Sequence, residues 1–113
     1  PYTGPLAVLI GLRSASAAEA TAAAMQFHSR GVVVGQRSAG AALTSRTFIL
    51  PDGGRLTVPV EDYLAPDGRR IEGVGVTPDI EVQETLAAVR AGVDLAVEAA
   101  SDALRPMTMS AFH

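Results

Sequence analysis

Residues 6–35 read LAVLIGLRSASAAEATAAAMQFHSRGVVVG, with two apolar runs on either side of an alanine-rich stretch. The runs at residues 6–10 and 32–34 are short, continuous and followed by glycine, which is typical of strands covered on both faces. Alanine is the strongest helix former, and neither proline nor glycine interrupts residues 17–30, so we expect a helix there that stops at Gly31. Strand, helix and strand in so short a space predict a βαβ unit with parallel strands.

The second half of the chain predicts a hairpin, an irregular stretch and a helix. Residues 47–50 and 56–60 favour strands and flank a Pro-Asp-Gly-Gly turn, which predicts a β-hairpin. Residues 71–82 contain glycine and proline at short intervals and are expected to be irregular. Apolar residues then recur at helical spacing, which predicts one amphipathic C-terminal helix over residues 84–104. We therefore expect a single α/β domain over residues 1–113, ending in a loose tail over residues 105–113.

The composition excludes several classes of function. A net charge of -3 gives no electrostatic footprint for nucleic acid or an anionic membrane. The absence of cysteine excludes disulfides, thiolate zinc sites and cysteine nucleophiles. His28 is interpreted as an exposed structural residue, and no metal-ligand spacing links it to His113, so neither a metal nor a cofactor is expected. No apolar run approaches the roughly 18 residues of a membrane span, so insertion of this segment into a membrane is not expected.

A serine stands at the predicted junction between the first strand and the helix, in the sequence SASAAE of residues 14–19. A helix N-terminus presents unpaired N–H groups and a positive dipole end, so Ser16 is a candidate nucleophile with the Ala17 amide facing the developing oxyanion. The spacing Ser16-x-x-Glu19 is also that of a capping box, in which the serine caps the helix and the glutamate reaches back to its amide. The local sequence leaves both interpretations open.

Four segments, in order, resemble motifs of the C-terminal processing (tail-specific) serine peptidase family. They are SASAAE followed by AAMQ at 23–26, RGVVVGQRSAG at 30–40 (family pattern R-x-x-V-V-G-E-x-T-x-G), PDGG at 51–54, and PDG at 66–68 with IEGVGVTPDI at 71–80. The resemblance covers about residues 5–82. It implies a ClpP/crotonase-like ββα core that hydrolyses peptide bonds in polypeptides, with Ser16 as nucleophile, Glu19 as a supporting acid and Ala17 as one of two oxyanion donors.

One position departs from the family pattern. The best-known members carry a lysine base where this chain has Ala41, and all nine basic residues here are arginine, which cannot serve as an ordinary base. A branch resembling the tricorn core peptidases instead uses a histidine from an earlier part of the domain, with a glutamate matched here by Glu72. Because the chain reaches a buried strand within a few residues of Pro1, we expect it to be the C-terminal portion of a longer catalytic domain. The resemblance therefore implies a base supplied from upstream, an inactive isolated segment, and a location in the bacterial envelope, the periplasm or outside the cell.

Two other functions stay open. The missing lysine also fits a non-catalytic member of the superfamily that binds a ligand or peptide. Alternatively, the segment is a structural piece that self-associates into a homo-oligomer, because a cut through the domain would leave apolar surface or a strand edge open. The presence of a histidine in the upstream sequence would distinguish the peptidase from the binding module.

Overall fold

The computed structural model describes residues 1–110, and within them the chain folds as a mixed α/β structure. The elements are β1 (Ala7–Ile10), α1 (Ala17–Phe27), β2 (Val32–Gly35), β3 (Leu43–Ile49), β4 (Arg55–Asp62), β5 (Ile80–Glu81), α2 (Leu86–Arg90) and α3 (Leu95–Ser110). β1, β2 and β5 form a parallel sheet in the order β1-β2-β5, and β3 and β4 form a separate antiparallel pair. The predicted α/β class, parallel strands and hairpin are confirmed.

The core is organised around β2, the central strand of the parallel sheet. Val33 pairs with Val8 of β1, and Val34 pairs with Ile80 of β5. Both valines are fully buried, and because neighbouring side chains of a strand point to opposite faces, β2 is covered on both faces. Helices α1 and α3 both pack against β1 and β2.

Helix α1 ends earlier than the sequence predicts. Its last residue is Phe27, and Ser29 takes a left-handed conformation with φ 48° while the Arg30 amide donates to the Met25 carbonyl at 3.0 Å. Gly31 is therefore not the residue that stops the helix. It lies against Leu6, the residue before β1, and an added Cβ would be 2.9 Å from the Leu6 carbonyl oxygen.

The single helix predicted over residues 84–104 is wrong, because the chain forms two helices there. Gly92 adopts φ 70° after α2, a conformation that interrupts a right-handed helix. Each helix also has its own N-terminal cap: the Thr85 hydroxyl accepts from the Ala88 amide, and the Asp94 carboxylate accepts from the first-turn amides of α3. Apolar spacing alone does not show such a break, since both helices continue the same periodicity.

Helix α3 continues to Ser110, beyond the predicted end at residue 104. The residues expected to begin a loose tail are therefore helical, including Pro106, and an ion pair of 2.8 Å joins Arg105 to Asp102 one turn earlier. Residues 111–113 of the predicted tail, including His113, lie outside the described residues. Within residues 1–110, none of the helices combines the length and the apolar character needed to cross a bilayer.

The predicted hairpin is present and is longer than the sequence indicates. β3 begins at Leu43, before the predicted start at residue 47, and β4 runs to Asp62, beyond the predicted end at residue 60. The Pro-Asp-Gly-Gly turn is closed by the Leu50 amide, which donates to the Gly54 carbonyl at 2.8 Å. The irregular stretch predicted over residues 71–82 contains only the short strand β5.

Gly35 sets how closely β2 approaches β1 at its carboxyl end. It adopts φ 130°, and an added Cβ would lie 2.0 Å from the Ile10 carbonyl oxygen. We expect Gly35→Ala to lower the free energy of unfolding by about 3 kcal/mol, because the strands must separate. Gly68→Ala is the control: its φ of 85° is similarly strained but its Cβ would meet open space, so about 1 kcal/mol is expected. Urea denaturation of both variants measures the difference, and equal losses would contradict the close approach.

Candidate active site

Ser16 lies at the junction between β1 and α1, at the N-cap position of the helix, and it is exposed. Its backbone has φ 58° and ψ -127°, which a residue with a side chain rarely adopts and which costs about 1–3 kcal/mol. A sharp strand-to-helix turn of this kind is how several hydrolases expose a nucleophilic serine. The structure thus places Ser16 where the sequence predicts it.

Both halves of a capping box are present around Ser16, yet the serine hydroxyl donates no hydrogen bond within the described residues. The Ser16 amide donates to Glu19 Oε2 at 3.0 Å, which is the glutamate half of a capping box. In the serine half of the box, the Ser16 side chain faces the Glu19 amide. That amide donates its hydrogen bond to the Ser16 carbonyl, at 2.9 Å. The Ser16 side chain makes no cap hydrogen bond of standard geometry. The two interpretations of the local sequence are therefore compatible in this structure.

The Ala17 amide is an unused donor beside the serine. Ala17 is the first residue of α1 and is exposed, and within residues 1–110 its N–H donates no hydrogen bond. A helix N-terminus concentrates such free N–H groups and favours negative charge. A free amide of this kind can donate a hydrogen bond to an anion.

Glu19 is fully buried and is the centre of a hydrogen-bond network. Its Oε1 accepts from the Ser38 hydroxyl at 2.5 Å and from the Gly40 amide at 2.7 Å. Its Oε2 accepts from the Ala41 amide at 2.9 Å and from the Ser16 amide. Burial raises the pKa of Glu19, but the hydrogen bonds from Ser38, Gly40, Ala41 and Ser16 outweigh it and hold the pKa below the ordinary 4.5.

The loop over residues 38–41 is held from its other side by the segment that follows Glu72. Ser38 is buried and exchanges two hydrogen bonds with Val76: its amide donates to the Val76 carbonyl at 3.1 Å, and its hydroxyl accepts from the Val76 amide at 2.7 Å. The Gly73 amide donates to the Gly40 carbonyl at 2.8 Å. The loop is therefore fixed between the start of α1 and this later segment.

Ala41 contacts the serine through its backbone. Its carbonyl accepts from the Ser16 amide at 2.8 Å, so the position that carries lysine in the family pattern does lie beside the serine turn. Its side chain is only a methyl group, which supplies no base.

His28 caps the opposite end of α1, about 16 Å along the helix, with its ring edge-on to Phe27 at 5.0 Å. It makes no contact with Ser16.

Glu72 reaches the same loop but does not hydrogen-bond Ser16. It is half-buried, and its Oε2 accepts from the Ala42 amide at 2.7 Å. Ala42 follows Ala41 in the chain, so Glu72 lies one residue away from the backbone group that binds Ser16. Within the described residues its second oxygen, Oε1, has no hydrogen-bond partner.

Ser38 is the residue that sequence reasoning missed. It lies where the family pattern has threonine, and the hydroxyl that both residues share at this position was the available signal.

A cleft of about 540 Å³ opens at the carboxyl ends of β1 and β2, lined in part by Leu12, Ser14 and Val82. Residues 1–110 contain no group of three or more His, Cys, Asp or Glu residues arranged to hold a metal ion.

The sequence model of peptidase family S41 matches residues 1–82. The chain belongs to peptidase family S41. The carboxy-terminal-processing protease of Bartonella bacilliformis is 37% identical over 91 residues, covering 80% of this chain and 21% of that protein. The carboxyl-terminal-processing protease of a Picosynechococcus species is 38% identical over 103 residues, covering 88% of this chain and 25% of that protein. The chain thus spans about a fifth to a quarter of the length of these S41 relatives.

Solved structures agree with this assignment. The photosystem II D1 C-terminal processing protease superposes with a TM-score of 0.65 at 37% identity, covering 70% of this chain and 20% of that one. The tricorn protease superposes with a TM-score of 0.81 over 89% of this chain and 10% of that one, and at 24% identity this likeness concerns the fold alone. The predicted family and the predicted α/β peptidase fold are confirmed.

Glu19→Gln tests the buried carboxylate. The new NH₂ group would face amide and hydroxyl donors, so we expect the free energy of unfolding at pH 7 to fall by about 3 kcal/mol. Because the folded pKa is lowered, ionised Glu19 stabilises the fold above the unfolded value near 4.5, and this contribution is lost as the pH falls through the lower folded pKa. Denaturant unfolding from pH 7 downward should therefore show a shallower acid dependence in the variant. Glu61→Gln, on exposed β4, is the matched control, and parallel pH curves for wild type and Glu19→Gln would contradict the network.

Proposed function

We propose that this chain carries the nucleophile and one oxyanion donor of a serine peptidase that hydrolyses polypeptides. The observation that carries the proposal is the exposed, strained Ser16 at the start of α1 with the unused Ala17 amide beside it. Family membership supports it, because S41 relatives are named as carboxyl-terminal-processing proteases. The proposal concerns the whole protein, of which these residues form one part of the site.

In the proposed reaction, the Ser16 hydroxyl oxygen attacks the carbonyl carbon of the scissile peptide bond while a base accepts its proton. The negative charge that develops on the carbonyl oxygen is stabilised by the Ala17 N–H and the positive end of α1. The intermediate collapses as the C–N bond breaks, and the base returns the proton to the departing amine. Water then hydrolyses the acyl-enzyme and regenerates the serine. The cleft lined by Leu12 and Val82 is where we expect part of the polypeptide to lie.

The base comes from outside residues 1–113 in this proposal, and a histidine is the favoured candidate. The chain contains no lysine, and His28 lies at the far end of α1. Glu72 supports a histidine arrangement, because the Ala42 amide fixes one of its oxygens and leaves the other available. A carboxylate in that position would orient an imidazole and stabilise its charged form, as the third member of a serine–histidine–acid set does. The 113-residue chain alone is expected to be inactive.

The relatives support a proposal on location, and the exposed apolar surface supports one on assembly. The relatives include bacterial and chloroplastic processing peptidases, and we propose a location in the bacterial envelope, the periplasm or outside the cell. Large apolar side chains are exposed on the hairpin and on α2, among them Ile49 at 75% and Leu86 at 64%. This exposure supports a homo-oligomer or burial against another part of the same protein.

A second candidate function is a non-catalytic member of the superfamily that binds a ligand or peptide. The specific observation in its favour is Ala41, which places a methyl group where the family pattern has its lysine base. This reading predicts an upstream sequence without a histidine near the site and a serine without nucleophilic reactivity. The labelling experiment below separates the two functions.

A fluorophosphonate probe on the full-length protein tests the nucleophile. We expect covalent labelling at Ser16, because an activated serine hydroxyl attacks the phosphorus atom. Ser16→Ala should lower the labelling rate at least about 100-fold. Ser101→Ala, an exposed serine on α3, is the control and should label like the wild type. A folded wild-type protein that stays unlabelled would support the binding module instead.

Glu72→Gln tests the charge of the proposed acid separately from its backbone contact. A glutamine oxygen still accepts from the Ala42 amide, so the loop keeps its hydrogen bond while the negative charge is lost. If Glu72 stabilises a charged base, the labelling rate of Ser16 should fall about 10-fold or more. Glu61→Gln, an exposed glutamate on β4 away from the cleft, should leave the rate unchanged. A Glu72→Gln rate equal to that of the wild type would remove Glu72 from the proposed set.

A further inference from the structure

Within residues 1–110, Ser38 is the only side chain that donates to Glu19, and the other three donors are backbone amides. Its hydroxyl is both a donor and an acceptor: it donates to Glu19 Oε1 at 2.5 Å and accepts from the Val76 amide at 2.7 Å. Ser38 is 4% exposed, so water does not easily replace either contact. A hydroxyl suits this place because it is at once a donor toward the carboxylate and an acceptor toward the amide.

Ser38 also lies in a backbone environment that keeps it in place. Gly75 has φ 76°, and an added Cβ there would lie 2.6 Å from the Ser38 carbonyl oxygen and 3.1 Å from its hydroxyl oxygen. A residue with a side chain at position 75 would therefore crowd Ser38, and the glycine leaves room for it. The two hydrogen bonds with Val76 then hold Ser38 against this later loop.

The hydrogen bond from the Ser38 hydroxyl to Glu19 Oε1 also helps to orient the second carboxylate oxygen, Oε2. A carboxylate is planar and rigid, so fixing Oε1 between Ser38 and Gly40 also fixes the direction of Oε2. Oε2 is the atom that accepts from both the Ser16 and the Ala41 amides. Ser38 is thus connected to the serine turn through one side chain.

We infer that Ser38 is a positioning residue for the acyl-transfer step: through Glu19 it holds the Ser16 turn in the conformation that presents the hydroxyl next to the Ala17 amide. The inference rests on the proposed peptidase function. Ser38 does not hydrogen-bond Ser16, and it does not line the cleft at the carboxyl ends of β1 and β2. Misplacing a reacting group by about 1 Å can reduce a reaction rate about 100-fold. A residue that positions Ser16 indirectly can therefore change the rate of the chemical step without changing the affinity for the substrate.

The test compares Ser38→Thr with Ser38→Val in the full-length protein. The two new side chains have the same shape and differ in the hydroxyl, so any crowding by the added methyl group is common to both. The readouts are the maximal rate of Ser16 labelling by a fluorophosphonate probe and the probe concentration that gives half that rate. Thr should stay within about 3-fold of the wild-type maximal rate, and Val should fall about 10-fold or more below Thr. The half-saturating concentration should change less than about 2-fold in both.

The outcomes separate this inference from the function it rests on. A wild-type protein that is not labelled overturns the peptidase proposal itself. A labelled wild type with equal maximal rates for Thr and Val overturns the role of Ser38 while the peptidase proposal stands. Circular dichroism monitors folding, and if Ser38→Val does not fold, Ser38→Ala against the wild type makes the same comparison without the added methyl group. A lower thermal midpoint with an unchanged labelling rate would show a purely structural role and contradict the inference.

Discussion

The buried carboxylate of Glu19 is the constraint on which the candidate site depends. It is fully enclosed, and within residues 1–110 it hydrogen-bonds to no cationic side chain, so its charge is stabilised by the neutral N–H and O–H groups that donate to it. A buried charge without such donors is destabilised by several kcal/mol. Three of the donors, Ser38, Gly40 and Ala41, lie about 20 residues further along the chain, so the fold must bring that loop to the start of α1. The loop cannot leave without exposing or neutralising the carboxylate.

This arrangement explains how a strained serine persists. The Ser16 conformation is unfavourable by itself, but its amide is shared between Glu19 Oε2 and the Ala41 carbonyl at 2.8 Å. Those contacts overdetermine the turn, which is how local backbone strain survives at functional sites. The strain in turn keeps the hydroxyl exposed and leaves the Ala17 amide without an internal partner.

The same network explains why the lysine position can change without loss of the site geometry. Glu19 and Ser16 hydrogen-bond to the backbone of residue 41, Glu19 to its amide and Ser16 to its carbonyl. An alanine there supplies the same two groups as any other residue, so the loop keeps its place whether or not a base is attached. The geometry of the nucleophile and the identity of the base are thus separate properties of this fold, which makes a base from elsewhere in the protein compatible with the structure.

The sequence predicts the fold well where the signal is local. The apolar runs and the alanine-rich stretch of residues 6–35 predict β1, α1 and β2, and the Pro-Asp-Gly-Gly turn predicts the hairpin. The end of α1 and the break between α2 and α3 were missed because they depend on Ser29 and Gly92 in left-handed conformations, which apolar periodicity does not reveal. A six-residue motif at one helix end was enough to predict the site residues Ser16, Ala17 and Glu19. The partners of Glu19 across the fold could not be predicted from that motif, because spacing within a helix indicates only the contact with Ser16.

Amide hydrogen exchange of the full-length protein tests the Glu19 network most directly. Gly40 and Ala41 lie outside any strand or helix, so their amides would exchange quickly if they faced solvent. The account predicts that both exchange as slowly as amides of the central strand β2, because each donates to an enclosed carboxylate. Exchange of Gly40 and Ala41 at the rate of the exposed turn around Asp67 would contradict it.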